Sequence, residues 1–161
     1  MSFAETTTAA PVQDKTSSGP CQTEQHRQFD FWLGTWDVYN QATPDKPPSR
    51  NVITLKHGGC TVHEEYVAGR YNGSSVNIYS SATGSWHQTW TDVVGTALFL
   101  KGGLDERGRM VLFSSGESGP LDRITWTPLD NGDVRQHWQQ SKDNGATWVD
   151  VFDGLYKKAA D

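Results

Sequence analysis

The chain has 161 residues, a formal net charge of −5 and a pI near 5.4, a size that suits one domain with a real core. The acidic balance excludes the basic footprint that nucleic acid or an anionic membrane surface demands, and no apolar run is long enough to span a bilayer. Only 35% of residues are hydrophobic, yet 16 are glycine and 7 are tryptophan, a composition of short twisted strands, tight turns and large aromatic fillers.

Residues 1–20 are small and polar and read as a disordered leader. They hold no apolar stretch of the kind that forms a secretory signal. Residues 22–33 read as a short helix, with Thr23 as N-cap and Phe29, Trp32 and Leu33 on one face. Gly34 suits the left-handed turn that ends such a helix. From Thr35 the period changes to two, which sets Trp36, Val38 and Asn40 on one face of a strand.

About ten segments of strand character follow from there. They lie near 35–41, 51–57, 60–69, 73–81, 85–92, 96–102, 109–115, 121–128, 133–141 and 147–156. Asn72-Gly73, Thr83-Gly84, Gly102-Gly103, Asn131-Gly132 and Asn144-Gly145 mark reversals between them. No second helix intervenes, which argues against parallel βαβ units. Barrel closure removes the edges that so many short strands would otherwise expose. The expectation is an all-β protein: one antiparallel barrel of about ten strands, preceded by one short helix. It spans 21–158, with 159–161 as a tail.

Cys21 and Cys60 are the only cysteines. Far apart in a domain of this size, they read as two free thiols, with a single bridge as the alternative. Ser141 to Trp148 resembles the Asp-box, S-x-D-x-G-x-x-W, a hairpin motif of sialidase propellers and unrelated proteins. Asp143 can accept turn N–H groups and Gly145 can supply positive φ, so the motif is read as structural.

The interior of a small barrel is the default pocket, and alternation selects its lining. Trp86, Gln88, Trp90 and Asp92 form one set, and Val134, Gln136, Trp138 and Gln140 another; the tryptophan-bearing set is taken as inward. If Asn131-Gly132 is a two-residue hairpin, Thr125 lies opposite Trp138 and Arg123 opposite Gln140, and both turn inward. Glu64 and Tyr66, and Asn77 and Tyr79, join by the same alternation. The histidines show no metal-ligand spacing, and His63-Glu64-Glu65 alternates across a strand and cannot chelate jointly. No metal and no cofactor is therefore expected.

Taken together, Cys21-x4-His26 through Val38, Trp86 to Asp92, Arg123 to Pro128 and Val134 to Trp148 resemble a family of small bacterial proteins. These are described as domains of unknown function with a lipocalin-like fold. Gly34-Thr35-Trp36 also resembles the G-x-W signature that opens the first strand of lipocalins and other calycins. The resemblance covers about 21–158 and implies a calycin-like barrel. Relatives of this family often carry a secretory or lipoprotein leader. The expected location is cytoplasmic as the chain stands, and periplasmic if a signal has been removed.

The expected function is binding of one small, partly apolar or aromatic molecule in the lumen. Trp36, Trp90 and Trp138 would form its walls and Asn77, Gln88, Gln136 and Arg123 its polar anchors, with Tyr79 and Thr125 also lining it. The rival is a small cofactor-free enzyme of lyase or isomerase type. Glu64 would be its acid or base, and Arg123 or Gln88 would stabilise developing charge. A minor alternative is haem, since the nitrobindin branch of calycins uses a proximal histidine in a ten-stranded barrel. His137 is the one late-strand histidine, and alternation turns it outward. Glu64 discriminates the first two readings: inward, buried and without a salt-bridge partner, it favours the enzyme.

Overall fold

Ten antiparallel strands close into a barrel in a computed structural model that describes residues 19–116 and 119–160. The segment 1–18, most of the expected leader, and Asp161 of the expected tail lie outside the described residues. The strands are β1 (Gly34–Asn40), β2 (Ser49–Lys56), β3 (Thr61–Ala68), β4 (Tyr71–Ser80) and β5 (Ser85–Asp92), followed by β6 (Ala97–Leu104), β7 (Met110–Ser114), β8 (Leu121–Pro128), β9 (Val134–Ser141) and β10 (Val149–Lys158). Each pairs with its sequence neighbour, and β1 pairs with β10 to close the ring, Val38 opposite Tyr156. Closure leaves no strand with an unpaired edge.

The expected helix is shorter than its pattern suggested. A single turn, α1 (Glu24–Arg27), is followed by a 3-10 turn at Asp30–Trp32. Thr23 occupies the N-cap position, but its Oγ1 contacts His26 Nδ1 at 2.7 Å instead of capping the backbone. What this segment does is plug one end of the barrel. Phe29 and Trp32 are fully buried and stacked at 4.9 Å, and both rings meet Trp126. Trp36 closes the same layer and donates through its indole nitrogen to the Trp32 carbonyl at 2.8 Å.

Cys21 and Cys60 are joined by a disulfide, with Cα atoms 5.0 Å apart. This corrects the expectation of two free thiols. The plug folds back over the β2–β3 connection, so residues separated by 39 in sequence become neighbours, and no spacing rule could show it. Arg27 reinforces the same junction by donating through Nη2 to the Gly59 carbonyl.

A second correction concerns β8. Asn131-Gly132 does not sit in a two-residue hairpin. Leu129 and Asp133 pair across a three-residue loop, with Gly132 at φ +85°, the type I turn plus bulge arrangement. The extra loop residue moves the register by one, so Ile124 faces Trp138 and Thr125 faces His137. A one-residue shift reverses every side chain. Arg123 and Thr125 therefore point outward, and Ile124 and Trp126 point into the barrel, 4% and 0% exposed.

The Asp-box forms the β9–β10 hairpin. Asp143 accepts from the Thr147 N–H at 2.8 Å, and the Trp148 indole donates to the Gly145 carbonyl at 3.1 Å.

Candidate functional site

The lumen is built in three layers. At the plugged end lie Phe29, Trp32, Trp36, Trp86 and Trp126, packed as a solid aromatic floor. Tyr79 belongs here: its ring meets Trp86 at 6.1 Å and the His26 ring at 5.1 Å.

The middle layer is polar. Asn51, Glu64, Ser75, Asn77 and Gln88 are all buried, contributed by β2, β3, β4 and β5 at positions of one parity. Buried polar groups must be paired, and these pair with a common direction. Gln88 Nε2 donates to Asn77 Oδ1 at 2.7 Å, Asn77 Nδ2 to Ser75 Oγ at 2.9 Å, and Ser75 Oγ to Glu64 Oε2 at 2.6 Å. Asn51 Nδ2 reaches Glu64 Oε1 at 2.7 Å and the Tyr156 hydroxyl at 3.2 Å. Tyr156 donates onward to Gln136 Oε1. One branch of the relay thus ends on Glu64, which accepts on both oxygens, and the other runs from Asn51 through Tyr156 to Gln136.

Above this belt the barrel opens. A cavity of about 180 Å³ has Glu64, Gln88, Gln136 and Tyr156 at its base. Its walls are Tyr66, Tyr71 and Trp90 on one side and Trp138 and Phe152 on the other, with Leu98 and Ile124 between them. Val151, 42% exposed, stands at the rim, so the cavity reaches solvent there. It is the bulged residue of β10, where pairing jumps from Asp150 to Phe152. The bulge turns Phe152 inward while Asp150 stays outside.

Two glycines let these rings lie flat. A Cβ at Gly73 would fall 2.4 Å from the Trp90 ring, and one at Gly154 would fall 2.5 Å from the Phe152 ring. Both tryptophans are also fixed at their nitrogens. Trp90 donates to Asp92 at 3.3 Å and Trp138 to Asp122 at 2.7 Å. Asp92 further accepts from the Tyr71 hydroxyl at 2.8 Å and from the Thr96 N–H at 2.9 Å.

Glu64 is the chemically distinctive group. It is 3% exposed and has no ion-pair partner among the described residues. Burial pushes its carboxyl up from 4.5 to about 7, against the hydrogen bonds from Ser75 and Asn51, which hold it lower. A folded-state value above the unfolded one means that stability is fully present below about pH 4.5 and is lost as pH rises through 7. The full difference is roughly 3 kcal/mol at about 1.4 kcal/mol per pH unit. Thermal unfolding of the wild type should therefore move to lower temperature between pH 5 and pH 8, while Glu64→Gln loses that component of the slope. Parallel pH profiles for the two proteins would refute this assignment.

The expected site residues divide into three groups. Glu64, Gln88, Trp90, Gln136 and Trp138 border the cavity together. Trp36, Asn77 and Tyr79 face inward but lie below or behind it, in the floor and in the polar relay. Arg123 and Thr125 lie on the outer wall, along a separate shallow groove over β6 to β9. There Arg123 donates to Gln139 at 2.6 Å and its guanidinium covers the Trp148 ring at 4.1 Å, so it cannot anchor a ligand in the lumen. Tyr71, Phe152 and Tyr156 complete the cavity but drew no attention in the sequence. For Phe152 and Tyr156 the available signal was their common parity with Gly154 in the last strand.

No histidine borders the cavity. His137, the candidate for haem, bonds Asp150 at 2.8 Å on the outer face. Among the described residues no group of three His, Cys, Asp or Glu side chains is placed to hold a metal, and no helix is long and apolar enough to cross a membrane. No known family model matches the chain, and no curated protein matches it either.

Proposed function

We propose that the barrel binds one small, partly apolar or aromatic molecule in its lumen. The observation that carries this reading is the 180 Å³ cavity, walled by aromatic rings and floored by Glu64, Gln88 and Gln136. An apolar cavity of roughly 150 Å³ takes up benzene, so the size suits a single ring with a short substituent. Few convergent polar groups under apolar walls is the usual make-up of a ligand pocket. Native mass spectrometry of the protein from its own host tests the reading by carrying the cargo with it. In vitro, titration with benzyl alcohol, indole and toluene should change tryptophan emission, because Trp90 and Trp138 border the space. Gln136→Leu should shift preference toward toluene. A panel that leaves emission unchanged throughout would end the proposal.

A second reading has its own observation. Glu64 is inward, buried and without an ion-pair partner among the described residues, the condition that favours general acid–base catalysis of lyase or isomerase type without a cofactor. Because Arg123 is outside, Gln88 would be the group that stabilises developing charge. Chemical change in a ligand recovered from the wild type, and none with Glu64→Gln, would establish turnover.

We also propose that the chain belongs with the small bacterial lipocalin-like family that it resembles; a closed barrel with a tryptophan in its first strand supports this. The Cys21–Cys60 bridge favours an oxidising compartment such as the periplasm over the cytoplasm. The net charge of −5 supports a function without nucleic acid or an anionic membrane as partner.

A further inference from the structure

The lumen is one-sided in charge. Glu64 faces it from the belt, and Asp92 and Asp122 sit at inward positions near the mouth. Among the described residues no Lys, Arg or His borders the cavity. The basic side chains at the plugged end are engaged there: Lys158 donates to the Leu33 carbonyl, Arg27 to Gly59, and His26 packs on Tyr79.

One side of its base is rich in acceptors as well. Each Glu64 oxygen accepts one protein donor, and a carboxylate offers roughly four acceptor sites. Gln88 Nε2 gives one N–H to Asn77, and its carbonyl oxygen is an open acceptor beside Glu64. Open acceptors therefore gather on the Glu64–Gln88 side of the base, while the open donors of Gln136 lie across it on β9. The walls follow the same logic. An indole whose N–H donates to a carboxylate is held in one orientation and polarised, so its face becomes more negative. That holds for both Trp90 with Asp92 and Trp138 with Asp122.

We infer that the lumen ligand is an organic cation, a protonated primary amine or amidine on a single ring, with its N–H groups on Glu64 and Gln88 and its apolar body between Trp90 and Trp138. This rests on the lumen reading above and names the chemistry of that ligand. A neutral aromatic would leave an ionised Glu64 buried without a counter-charge, and an anion would meet the Glu64 carboxylate at the base, with Asp92 and Asp122 behind the tryptophan walls. A cation supplies the missing charge and sits against ring faces, which attract it further once water is excluded.

The test compares isosteres by calorimetry and tryptophan emission: benzylamine and benzamidine against benzyl alcohol and toluene. At pH 8 the two cations should bind on the order of tenfold more tightly than the neutral pair, the effect of one charge-assisted bond. In Glu64→Gln the ratio of cation to neutral affinity should fall to about one, read against toluene, which makes no hydrogen bond to residue 64. The wild type provides a second measurement that needs no variant. Glu64 takes a proton below about pH 7, so the preference should fade as pH drops from 8 to 5.5. The groups facing Glu64 do not imitate this: Tyr66 beside it, Tyr71 on β4 and Tyr156 on β10 are all held above their ordinary values, and Asp92 at the mouth is held down to about 2. Binding of all four probes with no charge preference at pH 8 would overturn the cation and leave the lumen reading standing. Binding of none would overturn both.

Discussion

Trp36→Ala should lower stability by roughly 3–5 kcal/mol, the cost of truncating a fully buried aromatic. Trp36 is 0% exposed and ties two elements together. Its nitrogen holds the Trp32 carbonyl, its edge meets Tyr156 at 6.1 Å, and the Lys158 ammonium lies 3.8 Å over its ring. Truncation opens a cavity and leaves a buried carbonyl without its donor. In a protein of this length the melting temperature should fall by roughly 10 °C or more. A loss below about 2 °C would show that the plugged end contributes little to the core.

Cys60→Ser, or reduction of the native bridge, should cost about 4 kcal/mol in the chain-entropy account for a loop of this length. The loss has a local component as well. The bridge holds the start of α1 against the β2–β3 connection, and with it open the plug keeps its ring contacts and its bonds to Gly59, Trp86, Trp36 and Lys158. Hydrogen exchange should therefore rise first at Phe29 to Leu33, ahead of the strands. A denaturation midpoint unchanged by reductant would show that the junction is held by packing alone.

Strand placement was legible because β-branched and aromatic runs alternate between turn glycines, and all ten strands lie within a few residues of their expected limits. Facing was legible wherever a tryptophan marked the inward set, as in β5 and β9. The same rule applied to Ile124 and Trp126 would have turned Arg123 outward. The register argument overrode it, because Asn131-Gly132 carries the signature of a two-residue turn while the chain makes a three-residue one. Two further features left no trace in one dimension. Asn51 and Ser75 are small polar residues with no periodic signal, and their convergence on Glu64 exists only once β2, β3 and β4 are side by side. The disulfide depends on the plug folding over the barrel end, a long-range contact that local patterning does not encode.

Gly73 and Gly154 carry a consequence for how this barrel could diversify. Each lies under a ring, one beneath Trp90 and one beneath Phe152, on opposite sides of the mouth. Neither glycine is a wall of the cavity, yet a methyl group at Gly154 would meet only the Phe152 and Val38 side chains and displace the ring, whereas one at Gly73 would also fall 2.7 Å from the Thr91 carbonyl oxygen and strain the strand. Aperture is therefore adjustable from behind the wall, by one-carbon steps, without exchanging any residue that meets a ligand. Gly154 is the position of this kind: the range of cargo sizes can change there while the chemistry at the base of the chamber stays as it is.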